Sequence, residues 1–294
     1  MNLIQIFKQF PTQESCIEHL EKARWGNEPV CPYCGSVNTN KLEKEMRHHC
    51  NGCRTSFSVT VGTIFHHTHL PIQKWLLAIA LILNAKKGIS SRQLARDLEL
   101  PVKTAWSLSH RIRKAMKQDG ELLSGIVEMD ETYIGGKPRK EAKKKDDNDD
   151  DFSNPRGRGT KKECVVGMIS RGGKVKASNI AKDKLKGKDL KELVRAGVDI
   201  ENATLITDEY RGYMTMNRII NHLKINHSFE FANGAIHTNS IESFWAILKR
   251  GVIGQFHKVS QKYLNAYIDE FCWRFNNRKN ENVFDDLVGN MLKL

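Results

Sequence analysis

Apolar residues recur along this chain with two different periods, and the change of period divides it into a helical part and a mixed part. The helical pattern begins at Pro71 and stops at Lys86-Lys87-Gly88. Its apolar face consists of Trp75, Leu76, Ile79, Ala80 and Leu83. This spacing predicts an amphipathic helix. A second helix is predicted from Ser90, whose hydroxyl can cap it while Gln93 reaches back.

A third helix is predicted from about Val102 to Met116, after a turn at Leu100-Pro101. Its predicted buried face is Ala105, Leu108, Ser109, Ile112 and Met116, and its predicted outward face is Lys103, Thr104, Ser107, Arg111 and Lys114. Two short helices joined by a tight turn, the second exposing basic and hydroxyl groups, are typical of a helix-turn-helix that reads the major groove. The alternative is a three-helix packing unit without DNA contact.

After Gly120 the pattern predicts strands, with a charged interruption between the first and the second. Three strands in series, at residues 126–134, 164–170 and 174–179, indicate an antiparallel meander. A helix at 188–196, a strand at 203–207 and a helix from 212 to about 222 follow. This order is that of an α/β, ribonuclease H-like core (retroviral integrase superfamily). In such a core the first strand and the strand after the first helix lie side by side.

Three carboxylates occupy the positions that this core would bring together. Asp130 and Asp208 each follow an apolar run, and Glu242 opens an amphipathic stretch that carries Lys249 seven residues later. Adjacent carboxylates repel unless cations neutralise them. Two Mg²⁺ ions about 4 Å apart would do so, and would support in-line phosphoryl displacement. Asp130 would bridge both ions, with one more carboxylate on each. A helix cap or a surface charge is the commoner role for any single one of these acids.

Composition narrows the class of partner. The 294 residues are 39% hydrophobic and carry a net charge of +13, which favours a polyanion such as nucleic acid. The longest apolar run, Trp75 to Leu83, is under half the length of a membrane span. We therefore expect a soluble, unsecreted protein with no membrane partner.

Four of the seven cysteines form two CxxC pairs separated by fifteen residues: Cys31, Cys34, Cys50 and Cys53. That spacing is typical of a structural tetrahedral zinc site in a ribbon at about residues 28–58. A redox dithiol is the alternative. Because four thiolates complete the shell, His48 and His49 are not needed as ligands.

Several strings resemble the IS1595-family (ISXO2-like) insertion-sequence transposases. They are Asp130-Glu131-Thr132-Tyr133-Ile134-Gly135-Gly136-Lys137, Thr207-Asp208-Glu209-Tyr210, and His237-Thr238-Asn239-Ser240-Ile241-Glu242-Ser243-Phe244-Trp245, followed by Leu248-Lys249-Arg250-Gly251. The resemblance implies a bacterial DNA transposase that cuts at its element's terminal inverted repeats and joins the 3′-OH to target DNA. It implies a triad of Asp130, Asp208 and either Glu242 or Asn239. Glu242 is preferred because a carboxylate is the better Mg²⁺ ligand.

The resemblance and the patterns together give the expected organisation. Residues 1–68 hold the zinc ribbon, 69–120 the helix-turn-helix region and 121–294 the catalytic domain, with an unstructured insertion at 137–162. Lys249 would hold a phosphate near the scissile bond, and His237 would orient a water or a phosphate or simply pack at the helix start. The cofactors would be Zn²⁺ and two Mg²⁺ or Mn²⁺ ions. The partners would be double-stranded DNA and a second copy of the chain, on the bacterial nucleoid in the cytoplasm.

Two other functions remain open at this point. A nuclease or resolvase of the same fold would hydrolyse DNA without rejoining it, and strand transfer separates that reading from a transposase. A noncatalytic zinc-ribbon and helix-turn-helix regulator would keep its function after Asp130→Ala.

Overall fold

The computed structural model describes residues 1–117, 120–135, 160, 162–225 and 237–293. It divides into two compact units, Met1–Lys117 with Asn277–Leu294, and Gln118–Asn276. Residues 277–294 therefore group with the first unit, whereas the sequence pattern assigned them to the catalytic domain. Of the insertion predicted at 137–162, only Thr160 and Lys162 are among the described residues.

The first unit begins with two capped helices and a small sheet. The helices are α1 (Leu3–Gln9) and α2 (Gln13–Trp25), and the strands are β1 (Thr39–Leu42), β2 (Arg47–Cys50) and β3 (Ser56–Phe57), paired antiparallel in the order β1-β2-β3. His48 on β2 is buried, with its Nε2 2.8 Å from Glu21 Oε1. This contact ties the ribbon to α2 and keeps the His48 ring away from a ligand role.

The rest of the first unit is helical: α3 (Ile72–Asn84), α4 (Ser91–Asp97) and α5 (Val102–Lys114), joined by α9 (Val283–Lys293) from the far end of the chain. As predicted, the Ser90 hydroxyl accepts the Gln93 amide at 3.2 Å and caps α4. The predicted inner face of α5 is buried throughout. Apolar periodicity therefore located α3, α4 and α5 correctly.

The second unit is built on a five-stranded sheet in the order β6-β5-β4-β7-β8. Its strands are β4 (Leu123–Ile134), β5 (Glu163–Ser170), β6 (Val175–Ile180), β7 (Val198–Thr207) and β8 (Asn221–Lys224). The first three strands form the predicted antiparallel meander, and β7 lies parallel to β4. The expected juxtaposition of the first strand and the strand after the helix is thus confirmed.

Helices cover both faces of this sheet. Helix α6 (Gly187–Gly197) buries Leu190 and Val194 against one face, and α7 (Asn239–Gly251) and α8 (Gln261–Asn276) pack on the other. The helix predicted from 212 to 222 is wrong: short 3₁₀ turns at Arg211–Tyr213 and Met216–Arg218 lead into β8. Pairing of β8 with β7 outweighs the local helical spacing of the apolar residues. Among the described helices, none combines the length and apolar character needed to cross a membrane.

Candidate metal centre and active site

A cluster of three carboxylates lies where β4 extends past the end of β7. Asp130, Glu131 and Asp208 each place an oxygen within 4.8 Å of the others. The β4–β7 pairing ends at Met129 with Thr207, so Asp208 leaves its strand beside the next two residues of β4. The predicted meeting of Asp130 with Asp208 therefore occurs, and Glu131 joins them unpredicted.

Each carboxylate of the cluster is oriented by a different donor. The Trp245 indole Nε1 donates to Asp130 Oδ2 at 3.0 Å, and the Tyr213 hydroxyl donates to Glu131 Oε2 at 2.8 Å. Asp208 Oδ1 accepts the amide of Tyr210 at 3.0 Å. Since alternate residues of a strand face opposite sides, Asp130 points toward α7 and Glu131 toward the side covered by α6.

Electrostatics in the cluster favour a bound cation. Burial, together with the charges of Glu131 and Asp208, raises the pKa of Asp130 from 3.8 to about 7. Burial also raises the pKa of Tyr213 well above its usual value, so its hydroxyl stays a donor. A divalent metal would neutralise the repulsion and take the hard oxygen ligands that the cluster offers. The donor set thus fits Mg²⁺ or Mn²⁺.

Gly167 makes room for the indole that binds Asp130. It pairs with Asp130 across β4 and β5, and a Cβ at this position would lie 2.5 Å from Trp245 Cη2. Any larger residue would push the ring away from the carboxylate. The strand neighbour of Asp130 is therefore part of the geometry that holds it.

A buried carboxylate that the sequence pattern did not single out anchors α7. Glu128 is fully buried; its Oε2 accepts the amides of Ser240 at 2.8 Å and Ile241 at 3.1 Å. Its Oε1 accepts Arg171 Nε at 2.7 Å and the Ser240 hydroxyl at 3.0 Å. Glu128, which lies on β4, thus caps the N-terminus of α7, because its carboxylate accepts amides that the helix itself leaves unpaired. Strand alternation is the signal that could have found it, because Glu128 shares a strand face with Asp130.

The residues of α7 that belong to the predicted site do not all lie near the carboxylate cluster. Glu242 is exposed, its Oε1 accepts the Thr238 hydroxyl at 3.0 Å, and it lies outside the carboxylate cluster found among the described residues. Asn239 is exposed at the first position of the helix. Lys249 lies near Asp130: burial lowers the pKa of Lys249, and the charge of Asp130 opposes that shift. The structure brings Lys249 under the influence of Asp130, whereas Glu242 is not part of the cluster.

His237, just before α7, belongs to the anchor. Its Nδ1 lies 3.3 Å from Glu128 Oε1, and its carbonyl oxygen accepts Arg171 Nη2 at 2.9 Å. This placement matches the packing role considered for His237.

The four predicted zinc ligands converge in the first unit. Their sulfur atoms lie within 4.8 Å of one another, with 3.7 Å between Cys31 and Cys53 and 3.5 Å between Cys34 and Cys50. Tetrahedral zinc with bonds of about 2.3 Å requires sulfur atoms about 3.8 Å apart. The geometry therefore fits zinc with four thiolates.

The five α5 residues that were predicted to contact DNA differ in their exposure. Lys103, Ser107 and Lys114 are exposed and Thr104 is half-buried. Arg111 differs from the prediction, because its guanidinium donates to the carbonyls of Ile64 and His66 and lies over the Trp75 ring. Arg111 therefore braces its own unit instead of pointing outward.

Two family models match segments of this chain. The family model described as "ISXO2-like transposase domain" matches residues 122–276, over half of the chain, and one described as "Transposase zinc-ribbon domain" matches residues 11–56. The carboxylate cluster and the four-cysteine site lie within these two segments.

Two relatives and one solved structure are similar to different shares of this chain. An "uncharacterized protein in transposable element ISH50" of Halobacterium salinarum is 26% identical over 91% of this chain and 92% of its own length. An "uncharacterized transposase-like protein" of Haemophilus influenzae is 32% identical over 26% of this chain and 62% of its own length. A Mos1 transposase paired-end complex is similar at 13% identity, covering 74% of this chain and 78% of that one, with a TM-score of 0.30.

Proposed function

This chain belongs to the family of ISXO2-like transposases, and we propose that it binds the terminal inverted repeats of an insertion sequence, cleaves them and joins the 3′-OH to target DNA. The observation that carries the proposal is the cluster of Asp130, Glu131 and Asp208 with Lys249 beside it. Half-buried carboxylates that lie together on neighbouring strands are costly without cations, and phosphodiester chemistry uses those cations.

In this proposal each side chain has a defined task. Asp130 and Asp208 would hold the catalytic metals, and the chemistry that such ions would supply is activation of the attacking oxygen and stabilisation of the leaving oxygen. Trp245 fixes the Asp130 carboxylate through its indole donor, and Lys249 neutralises a phosphate oxygen near the scissile bond. Water attacks first, and the freed 3′-OH attacks target DNA in the second displacement.

Three residues are candidates for the third metal ligand. The family resemblance favours Glu242, or Asn239 in its place, and the described geometry favours Glu131 because its oxygen is already in the cluster. Conservative changes distinguish them: Glu131→Gln and Glu242→Gln should differ sharply in Mg²⁺-dependent cleavage, and only the true ligand should shift the Mg²⁺ concentration required.

DNA binding is assigned to the first unit. The exposed residues Lys103, Ser107 and Lys114 lie on α5, the second helix of the α4–α5 pair, with Thr104 half-buried among them. Such a pair can place its second helix in the major groove, and the zinc ribbon stabilises the unit. Synapsis of two element ends calls for at least two copies of the chain. Double-stranded DNA in the bacterial cytoplasm is the implied partner.

The test uses the DNA that flanks the gene. Terminal inverted repeats found there supply a duplex on which binding, cleavage and strand transfer are measured separately with Mg²⁺. A transposase performs all three, and Asp130→Asn retains only binding. Cleavage without strand transfer would identify a nuclease, and binding unaffected by Asp130→Asn with no cleavage by the wild type would identify a regulator.

A further inference from the structure

The second unit contains a cavity with basic walls, and Lys249 is one of its lining residues. This cavity of about 400 Å³ lies among the end of β4, the start of β5 and the segment after α7. Its lining includes Lys162, Lys249, His257 and Lys258, and Glu163 is the acidic residue among the lining side chains. Its size is within the range of ligand sites. The balance of charge in its walls favours an anionic occupant.

The backbone at this cavity adopts two uncommon conformations in succession. Helix α7 passes directly into a π-helix at Val252–Phe256, and His257 follows with φ 59° and ψ −46°. The Lys258 amide donates to the Phe256 carbonyl at 2.6 Å, which closes a classic γ-turn around His257. Such a turn on a non-glycine residue is strained, and strain and π-helices both concentrate at functional sites. The fold thus holds His257 and Lys258 at the cavity in a conformation that ordinary packing does not require.

Lys249 connects the cavity with the cluster. Its pKa is affected by the charge of Asp130 and by that of Lys162, and Lys162 lines the cavity together with Lys249. Two ammonium groups that line one open cavity are stabilised by an anion bound there. The aliphatic side chains of Val252 and Val259 line the same space and can pack against a sugar. Basic groups combined with apolar walls suit a sugar–phosphate unit better than a bare ion.

We propose that this cavity binds one backbone phosphate of the DNA strand next to the scissile bond, with Lys162 and Lys258 as its cations. The proposal rests on the proposed function, because it assumes a DNA strand whose scissile phosphate lies at the carboxylate cluster. Its role is to fix the strand in register with the metals. It therefore adds a substrate-positioning site beyond the cluster and Lys249.

The test combines DNA that carries one uncharged phosphate with protein variants that lack one lysine side chain. A duplex carrying the terminal inverted repeat is prepared with a single methylphosphonate at each position near the cleavage site. Binding of the wild type, Lys162→Ala, Lys258→Ala and the control Lys188→Ala is then measured over a range of salt concentrations. Lys188 is exposed on α6 and does not line the cavity, so its loss removes the same charge without removing the site.

We expect one methylphosphonate position to weaken wild-type binding about tenfold, since hydrogen bonds to charged groups have this magnitude. The same substitution should have no further effect on Lys258→Ala, whose salt slope should fall by about 0.9. Absence of any position with this coupling, or equal behaviour of Lys258→Ala and Lys188→Ala, would overturn the proposal. Because Lys258 is exposed, its variant should fold, which circular dichroism checks.

Two further readouts separate the possible causes of failure. Cleavage of the unmodified duplex by the wild type reports on the proposed function, so cleavage without phosphate coupling would overturn the cavity assignment alone. A wild type that does not bind the duplex would overturn both. Calorimetric titration with inorganic phosphate completes the design: binding of the free ion without coupling on DNA would assign the cavity to a small anion and refute the DNA-strand assignment.

Discussion

Replacement of Glu128 by glutamine tests whether α7 is held by one buried carboxylate. In Glu128 both oxygens accept two donors each, from Arg171, the Ser240 amide and hydroxyl, and the Ile241 amide. An amide keeps one acceptor oxygen and replaces the other with an NH₂ group. In Glu128→Gln, two of the four donors therefore face the NH₂ group, which is itself a donor. Arg171 also loses its countercharge.

The magnitude follows from these contacts. Each buried donor left without an acceptor costs about 1–3 kcal/mol, and breaking a buried ion pair costs about 3–5 kcal/mol. The two costs describe the same loss and are not added. We therefore expect the free energy of α7 opening to fall by about 4 kcal/mol in the variant. Opening of α7 should then become about a thousandfold more frequent. Helix opening would also remove Trp245 from Asp130, so cleavage should fall as well.

Hydrogen exchange measured by mass spectrometry reports this local opening directly. Peptides from α7 should lose protection in Glu128→Gln, whereas peptides from α5 in the first unit provide an internal reference. Glu121→Gln is the matched control: the same substitution, in a side chain 68% exposed that pairs with Lys174. A surface pair contributes less than about 1 kcal/mol. If Glu128→Gln changes α7 protection by no more than Glu121→Gln does, the anchoring argument is refuted.

Three further predictions concern the two metal sites. Trp245→Phe removes the donor to Asp130, and Mn²⁺ affinity measured by calorimetry should fall about tenfold; unchanged affinity would count against the orienting role. Without divalent metal, the raised pKa of Asp130 means that the folded chain keeps a proton that the unfolded chain loses between about pH 4 and about pH 7. The free energy of unfolding should therefore decrease as pH rises through this window, and urea midpoints of Asp130→Asn should lack that component. Chelation of zinc should unfold the four-cysteine ribbon, seen as lost amide protection at Thr39–Cys50 together with zinc release; retained protection would contradict a structural metal.

Local patterns predicted those features that depend on nearby residues. The Ser90 cap, the inner face of α5, the strand that contains Asp130 and the strand that ends just before Asp208 all follow from short stretches of sequence. The meeting of the two aspartates was predictable because strand order follows from the sequence of elements.

Features that depend on distant partners were not predictable in the same way. Strand alternation places Glu128 on the same face as Asp130, but its partners Arg171 and Ser240 lie 43 and 112 residues away, so no local pattern identifies the contacts that define its role. The predicted helix at 212–222 failed because an available edge of β7 recruits residues 221–224 as a strand. Arg111 has a basic, helical-surface pattern, yet carbonyl groups 45 and 47 residues away bind it.

The return of α9 to the first unit makes the second unit an insertion within another domain. The buried α9 residues Phe284, Leu287, Val288, Met291 and Leu292 complete that domain, and the Met291 carbonyl accepts the Ile64 amide at 3.0 Å. A ribosome must therefore synthesise the whole second unit before the domain around the zinc ribbon can close. Chains truncated by a frameshift would lack this closing helix and expose the apolar surface that it covers. Decayed gene copies of this kind should yield aggregation-prone fragments in place of stable competitors for DNA ends.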